Sequence, residues 1–174
     1  QAWLHTHYET DWMATILQSE NNSPKGLAKA ISEVKLHGYK FAAADINYSG
    51  NEWIYSEELS AFVPPLSSIK GVGNTAMQEI LDDRPFRNFE EFLYDAEGSW
   101  ARSKVNKTAL TALCKIEAFN SFEDMQDEKV KNHRQLLCAL THDKNYELLR
   151  KGRYGLTKTA TKRALKNGDI LEPI

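Results

Sequence analysis

The stretch Ile69-Lys70-Gly71-Val72-Gly73-Asn74-Thr75-Ala76-Met77 constrains this chain more than any other part of it. Gly-apolar-Gly leads straight into a segment whose Ala76, Met77, Ile80 and Leu81 recur at helical spacing. Gly71 and Gly73 can both adopt positive φ, where the backbone reverses tightly and approaches a ligand closely. The helix beyond them starts with unpaired amides and the positive end of its dipole facing outward. Together these make a cup of N–H donors suited to one phosphate group. A cup of this kind meets backbone rather than base edges, so the binding it implies ignores nucleotide sequence.

Gly-x-Gly between apolar segments also occurs in ordinary turns. Three neighbours favour the phosphate reading. Val72 is apolar and anchors the turn into a core. Lys70 sets a cation beside the cup. Ala76 is small where two helices of a hairpin would cross. The motif is therefore read as a helix-hairpin-helix. Its candidate DNA-contacting residues are Ile69, Lys70, Gly71, Val72, Gly73, Asn74 and Thr75, with Lys104 and Lys107 at the start of a later helix.

The chain has 174 residues, enough for one domain or two small ones. It carries no apolar run of membrane-spanning length and no signal segment. Gln1 in place of Met suggests a start inside a larger protein. Cys114 and Cys138 sit among apolar residues and read as buried free thiols, which fits a reducing cytoplasm. Charge is uneven along the chain. Residues 1–60 hold four Lys and Arg against eight Asp and Glu, residues 61–120 seven against eight, and residues 121–174 eleven against eight. From 144 to 166, eight Lys and Arg face Glu147 alone. Such a run is usually a solvated helix face, and it also suits a phosphate backbone.

Residues 2–20 form an aromatic-rich helical stripe through Trp3, Leu4, Tyr8, Trp12, Met13, Ile16 and Leu17, read as core-facing and bent near Glu9-Thr10. Ser23 caps a second helix that begins at Pro24 and stops at Gly38. Residues 39–43, 53–55 and 59–63 read as short strands, and Pro64-Pro65 marks entry to the hairpin. Asn88, with Glu91 three residues on, predicts a capping box. Another helix, through Leu110, Leu113, Cys114 and Ile116, ends near Ala118-Phe119. Further helices are expected within 128–150 and 157–166. The expected fold is mainly α, with a small β patch at about 39–63. It divides into residues 1–60, a helix-hairpin-helix region at 61–122, and a basic helical extension at 123–174.

Catalytic chemistry is missing. Asp82-Asp83, Glu57-Glu58 and Glu90-Glu91 are adjacent pairs whose side chains diverge, and they read as solvated. His5 and His7 lack metal-ligand spacing, while His37, His133 and His142 stand apart. No nucleophile motif or P-loop is present. No catalytic residue, metal ligand or cofactor is assigned to this segment.

The order of segments resembles the alpha subunit of bacterial replicative DNA polymerase III, the C family of polymerases. Ala2-Trp3-Leu4-His5-Thr6-His7-Tyr8 and Asp11-Trp12-Met13-Ala14 are similar to a stretch of its fingers. Lys29 to Lys40, leading to Asp45-Ile46-Asn47, resembles the next segment of that family. Ser68 to Gly73 is similar to its helix-hairpin-helix entry. Pro85 to Phe92, then Val105 to Leu110 and Glu117 to Phe122, come in the family's order. Three positions depart from the pattern. Glu9 stands where the family has proline, Ala43-Ala44 where it has Pro-Pro, and Glu117 where it has glycine. These point to a divergent member, with a virus as one source.

The resemblance implies the last part of the fingers plus a duplex-binding region, without the palm aspartates. Magnesium is then expected for the parent polymerase. The expected partners are primer-template duplex, bound without sequence preference, and the rest of the polymerase chain, with no membrane and in the cytoplasm. Two other readings compete: a stand-alone helix-hairpin-helix module of a repair or recombination protein, and a helical protein-interaction domain.

Overall fold

Ser23 and Pro24 start the clearest local structure: the Ser23 hydroxyl accepts from the Gly26 amide while Pro24 occupies the first helical position. The computed structural model describes residues 2–123 and positions 146, 147 and 150, with side chains from residue 8 onward. The expected helices at 128–150 and 157–166, the basic extension and Cys138 lie essentially outside the described residues.

Helix α1 (Ala2–Ser19) packs against α2 (Pro24–Leu36). It is one continuous helix through Glu9 and Thr10. Met13 and Leu17, one turn apart, are buried. Tyr8 and Trp12 are instead exposed, at 75% and 56%. Trp12 is one residue from Met13, so it points about 100° away from the buried stripe. Gly38, at φ +87°, ends α2 as expected.

Three strands come next, the first and third shorter than expected: β1 (Lys40–Phe41), β2 (Ile54–Ser56) and β3 (Ala61–Val63). The sheet order is β1-β3-β2, with β3 parallel to β1 and antiparallel to β2. Fully buried Phe62 on the central strand meets Tyr39, Phe41 and Tyr55 edge-on or tilted, at 5.1 to 5.8 Å. With Met13, Leu17, Ala30, Val34 and Trp53 it forms the first apolar cluster.

A 3₁₀ turn (Leu66–Ser68) leads to α3 (Asn74–Asp83), α4 (Phe89–Leu93) and α5 (Lys107–Lys115). The architecture is mainly helical with a small sheet, as the sequence predicts. Phe89, Phe92, Phe119 and Phe122 form the centre of the second cluster, with ring centroids 5.0 to 6.2 Å apart. Val72, Ala76, Met77 and Ile80 pack into it from the hairpin side, and Ile46 from the segment after β1. Helix α5 ends at Lys115, before the expected Ala118-Phe119. Its end is a Schellman motif: Ala118 N–H donates to Leu113 C=O at 3.0 Å and Glu117 N–H to Cys114 C=O at 3.1 Å. Glu117 sits at φ +59°. That is the position where the resembling family carries glycine, so the departure alters the residue and keeps the turn.

Asn88 caps α4 by accepting from the Glu91 amide at 2.9 Å. The expected capping box closes one residue early. The Glu91 carboxylate accepts from the Arg87 amide and guanidinium rather than from the Asn88 amide. Arg87 beside it holds the Glu91 carboxyl below its ordinary range. No helix of the described residues is long and apolar enough to cross a membrane.

Candidate nucleic-acid interface

The hairpin is a four-residue turn in which Val72 N–H donates to Ile69 C=O at 3.1 Å. Gly71, its third residue, has φ +105°, the conformation that demands glycine in a type II turn. Its missing side chain also lets the turn lie against α5. A Cβ on Gly71 would stand 3.3 Å from the Ala112 Cβ and 3.5 Å from the Thr108 methyl. The close crossing expected at Ala76 is therefore found at Gly71, while Ala76 is simply buried.

Gly73 does not use the positive φ open to it. It lies at φ −79°, ψ 165°, extended backbone that other residues adopt, and it is the N-cap of α3. What it contributes is the absence of a cap. Ser23, Asn88 and Asn106 each place a side-chain oxygen over the first turn of α2, α4 and α5. Gly73 places none over α3. Exposed residues Asn74 and Thr75 thus open the helix with uncapped amides beside exposed Lys70.

The other predicted site residues divide in two. Ile69 is half-buried against the second cluster and Val72 is buried within it, so both anchor the turn. Lys107 joins the hairpin: with Lys70, Gly71 and Ile69 it lines one open groove between the turn and α5. Its ammonium also lies 5.9 Å from the centre of the Tyr146 ring, which meets Trp100 edge-on at 6.0 Å. Lys104 is exposed but does not line that groove.

The backbone around Lys104 is engaged from within. The Glu79 carboxylate on α3 accepts from the amides of Ser103, Lys104 and Val105 at 3.0, 3.0 and 3.2 Å, and from the Ser103 hydroxyl at 2.8 Å. One turn further along α3, Asp83 pairs with Arg102 at 2.9 Å. Asp82 and Asp83 are nonetheless both exposed, as the sequence predicts. Arg102 is 5% exposed and its Nε and Nη1 have no hydrogen-bond partner. Its guanidinium lies 5.2 and 5.4 Å from the centres of the Phe86 and Phe92 rings, which supply π contact in their place. Neither clip has a signature in the sequence, since a carboxylate's distant partner leaves no periodic pattern.

Among the described residues no three His, Cys, Asp or Glu converge as a metal site. His37 does have a neighbour, the Glu9 carboxylate at 3.7 Å.

Residues 38–129 match the model of the helix-hairpin-helix motif family. DNA polymerase III subunit alpha of Campylobacter jejuni is 32% identical over 126 residues, 70% of this chain and 10% of that protein. The subunit of the same name from Thermus aquaticus is 30% identical over 128 residues, 71% of this chain and 10% of the relative. The one from Chlamydia pneumoniae is 24% identical over 147 residues, 82% and 11%. The chain thus spans about a tenth of the length of these relatives. With more than half of its residues inside the match, the chain belongs to the helix-hairpin-helix motif family, in the form carried by the alpha subunits of bacterial DNA polymerase III.

Proposed function

We propose that this chain is a non-catalytic segment of a replicative DNA polymerase that holds duplex DNA by its backbone. The observation that carries the reading is the Gly71 turn leading into the uncapped start of α3, within a family-matched hairpin. Ile69 and Val72 fix the turn, the Asn74 and Thr75 amides meet a phosphate, and Lys70 and Lys107 flank it with charge. Lys104, exposed on the approach to α5, adds a cation. These groups offer no set of side chains suited to reading base edges, so binding is indifferent to sequence. The duplex is primer-template, the chain works joined to the rest of a polymerase in the cytoplasm, and magnesium serves the parent's nucleotidyl transfer.

The test is fluorescence anisotropy with duplexes of unrelated sequence, titrated with salt. Each neutralised phosphate contributes about −0.9 to the slope of log K against log salt. Equal affinities and a steep slope are expected. A strong preference for one duplex at fixed salt, or no binding at low salt, overturns the reading.

A further inference from the structure

Helix α5 places Lys107, Thr111 and Lys115 at intervals of four residues, which aligns them along one face. All three line the groove whose opposite wall is the hairpin. Gly71 brings the two walls together, since a Cβ there would crowd Ala112 at 3.3 Å. Lys70 enters from the hairpin side, so three lysines face one space, and no Asp or Glu is among the residues lining it. The chain as a whole has more acids than bases, so the groove departs from its average in sign. Among the described residues no carboxylate pairs with Lys70 or Lys115. The rest of the lining is mostly apolar, including Pro64, Pro65 and Ile116, which suits sugar faces between phosphates.

We infer that this groove seats the sugar-phosphate backbone of one DNA strand, with Lys115 as a DNA contact beyond the hairpin. The inference rests on the DNA-binding reading above and extends it from a single cup to a track. Lys107 and Lys115 are eight residues apart, about 12 Å along the helix axis. That length spans more than one phosphate of a strand. The Thr111 hydroxyl is already engaged, donating to the Lys107 carbonyl at 2.8 Å. Lysine acts there as a point charge and contributes no base preference.

The experiment compares the full chain with Lys115→Gln, Lys115→Glu and, as a control on α2, Lys29→Gln. Duplex affinity is measured by anisotropy across a salt series, and circular dichroism checks that each variant is folded. Lys115→Gln is expected to weaken binding about five- to tenfold at 0.1 M salt and to flatten the slope by about 0.9. Lys115→Glu weakens it further, and Lys29→Gln leaves it unchanged. If the wild type binds and Lys115→Gln keeps its affinity and slope, the track is overturned while the hairpin reading stands. If the wild type fails to bind, both fall.

Discussion

Ser121 and Asp45, 76 residues apart in sequence, are joined twice: the Ser121 amide donates to Asp45 Oδ2 at 2.9 Å and its hydroxyl to Oδ1 at 2.6 Å. Around this pair, Ile46 N–H donates to Ala118 C=O at 2.8 Å. Asn47 closes a two-way bridge with the Phe86 backbone, both bonds 2.8 Å. The segment after β1 is thereby fastened to the turn after α5 and the loop before α4. The hairpin emerges between these fastenings, so its orientation against the sheet depends on them.

Breaking the pair is expected to destabilise the fold in unequal steps. Ser121→Ala removes one hydroxyl and costs about 1 kcal/mol. Asp45→Ala leaves the amides of Asn47 and Ser121 without their acceptor and costs about 2–3 kcal/mol. The double variant costs less than the sum, because each single change already removes the shared bond. Urea unfolding of the four proteins measures this, and strict additivity would contradict the coupling.

How much of this was legible in the sequence depended on range. Ser23 and Asn88 act on amides three residues away, so their caps follow from local chemistry. The hairpin turn was readable for the same reason. Asp45-Ile46-Asn47 and the segment ending at Phe122 were recognisable only as pieces of a family pattern. Their purpose is to meet each other, and no local rule carries that. The outward turn of Trp12 was hidden because the apolar residues of α1 extend around the helix, which blurs its phase. Glu79 illustrates the limit, since its partners lie 24 to 26 positions downstream.

Glu117 is the one residue of the α5 end that works against its own turn. A non-glycine residue at positive φ costs on the order of 1 kcal/mol, and the Schellman bonds fix that conformation. Glu117 is exposed, so little packing is lost on replacing it. Glu117→Gly is therefore expected to stabilise the chain by up to about 1 kcal/mol, with a higher Tm in calorimetry. A lower Tm would mean that the side chain makes a compensating contact.

Alkaline pH should weaken the fold through two buried acids. Burial pushes the Cys114 thiol from 9.0 up to about 12 and the Tyr94 hydroxyl from 10.0 up to about 12. Below pH 9 both groups are protonated in the folded and unfolded chains, and no stability is lost. As pH rises from 9 toward 12 the unfolded chain releases protons that the folded chain keeps, so stability falls. In a Cys138→Ser background, Cys114→Ala should delay the onset of that loss from about pH 9 to about pH 10. Unfolding midpoints at half-unit steps of pH test this, and an unchanged onset would show that the thiol does not contribute.

The two hairpin glycines should separate fold from binding. Gly71→Ala forces a side chain into φ +105° and against Ala112, so it costs about 1–3 kcal/mol of stability. Gly73→Ser meets neither obstacle: its backbone is extended and no atom lies within 4 Å of a Cβ placed there. The serine hydroxyl would cap the first turn of α3, as Ser23 caps α2, and stabilise the chain by roughly a few tenths of a kcal/mol. The same hydroxyl would then occupy an amide proposed to meet a phosphate. Gly73→Ser is therefore expected to raise Tm slightly while lowering duplex affinity, whereas most hairpin damage lowers both. Calorimetry and anisotropy on one preparation decide it. Unchanged affinity in a stabilised Gly73→Ser variant would show that the open start of α3 is not where the DNA binds.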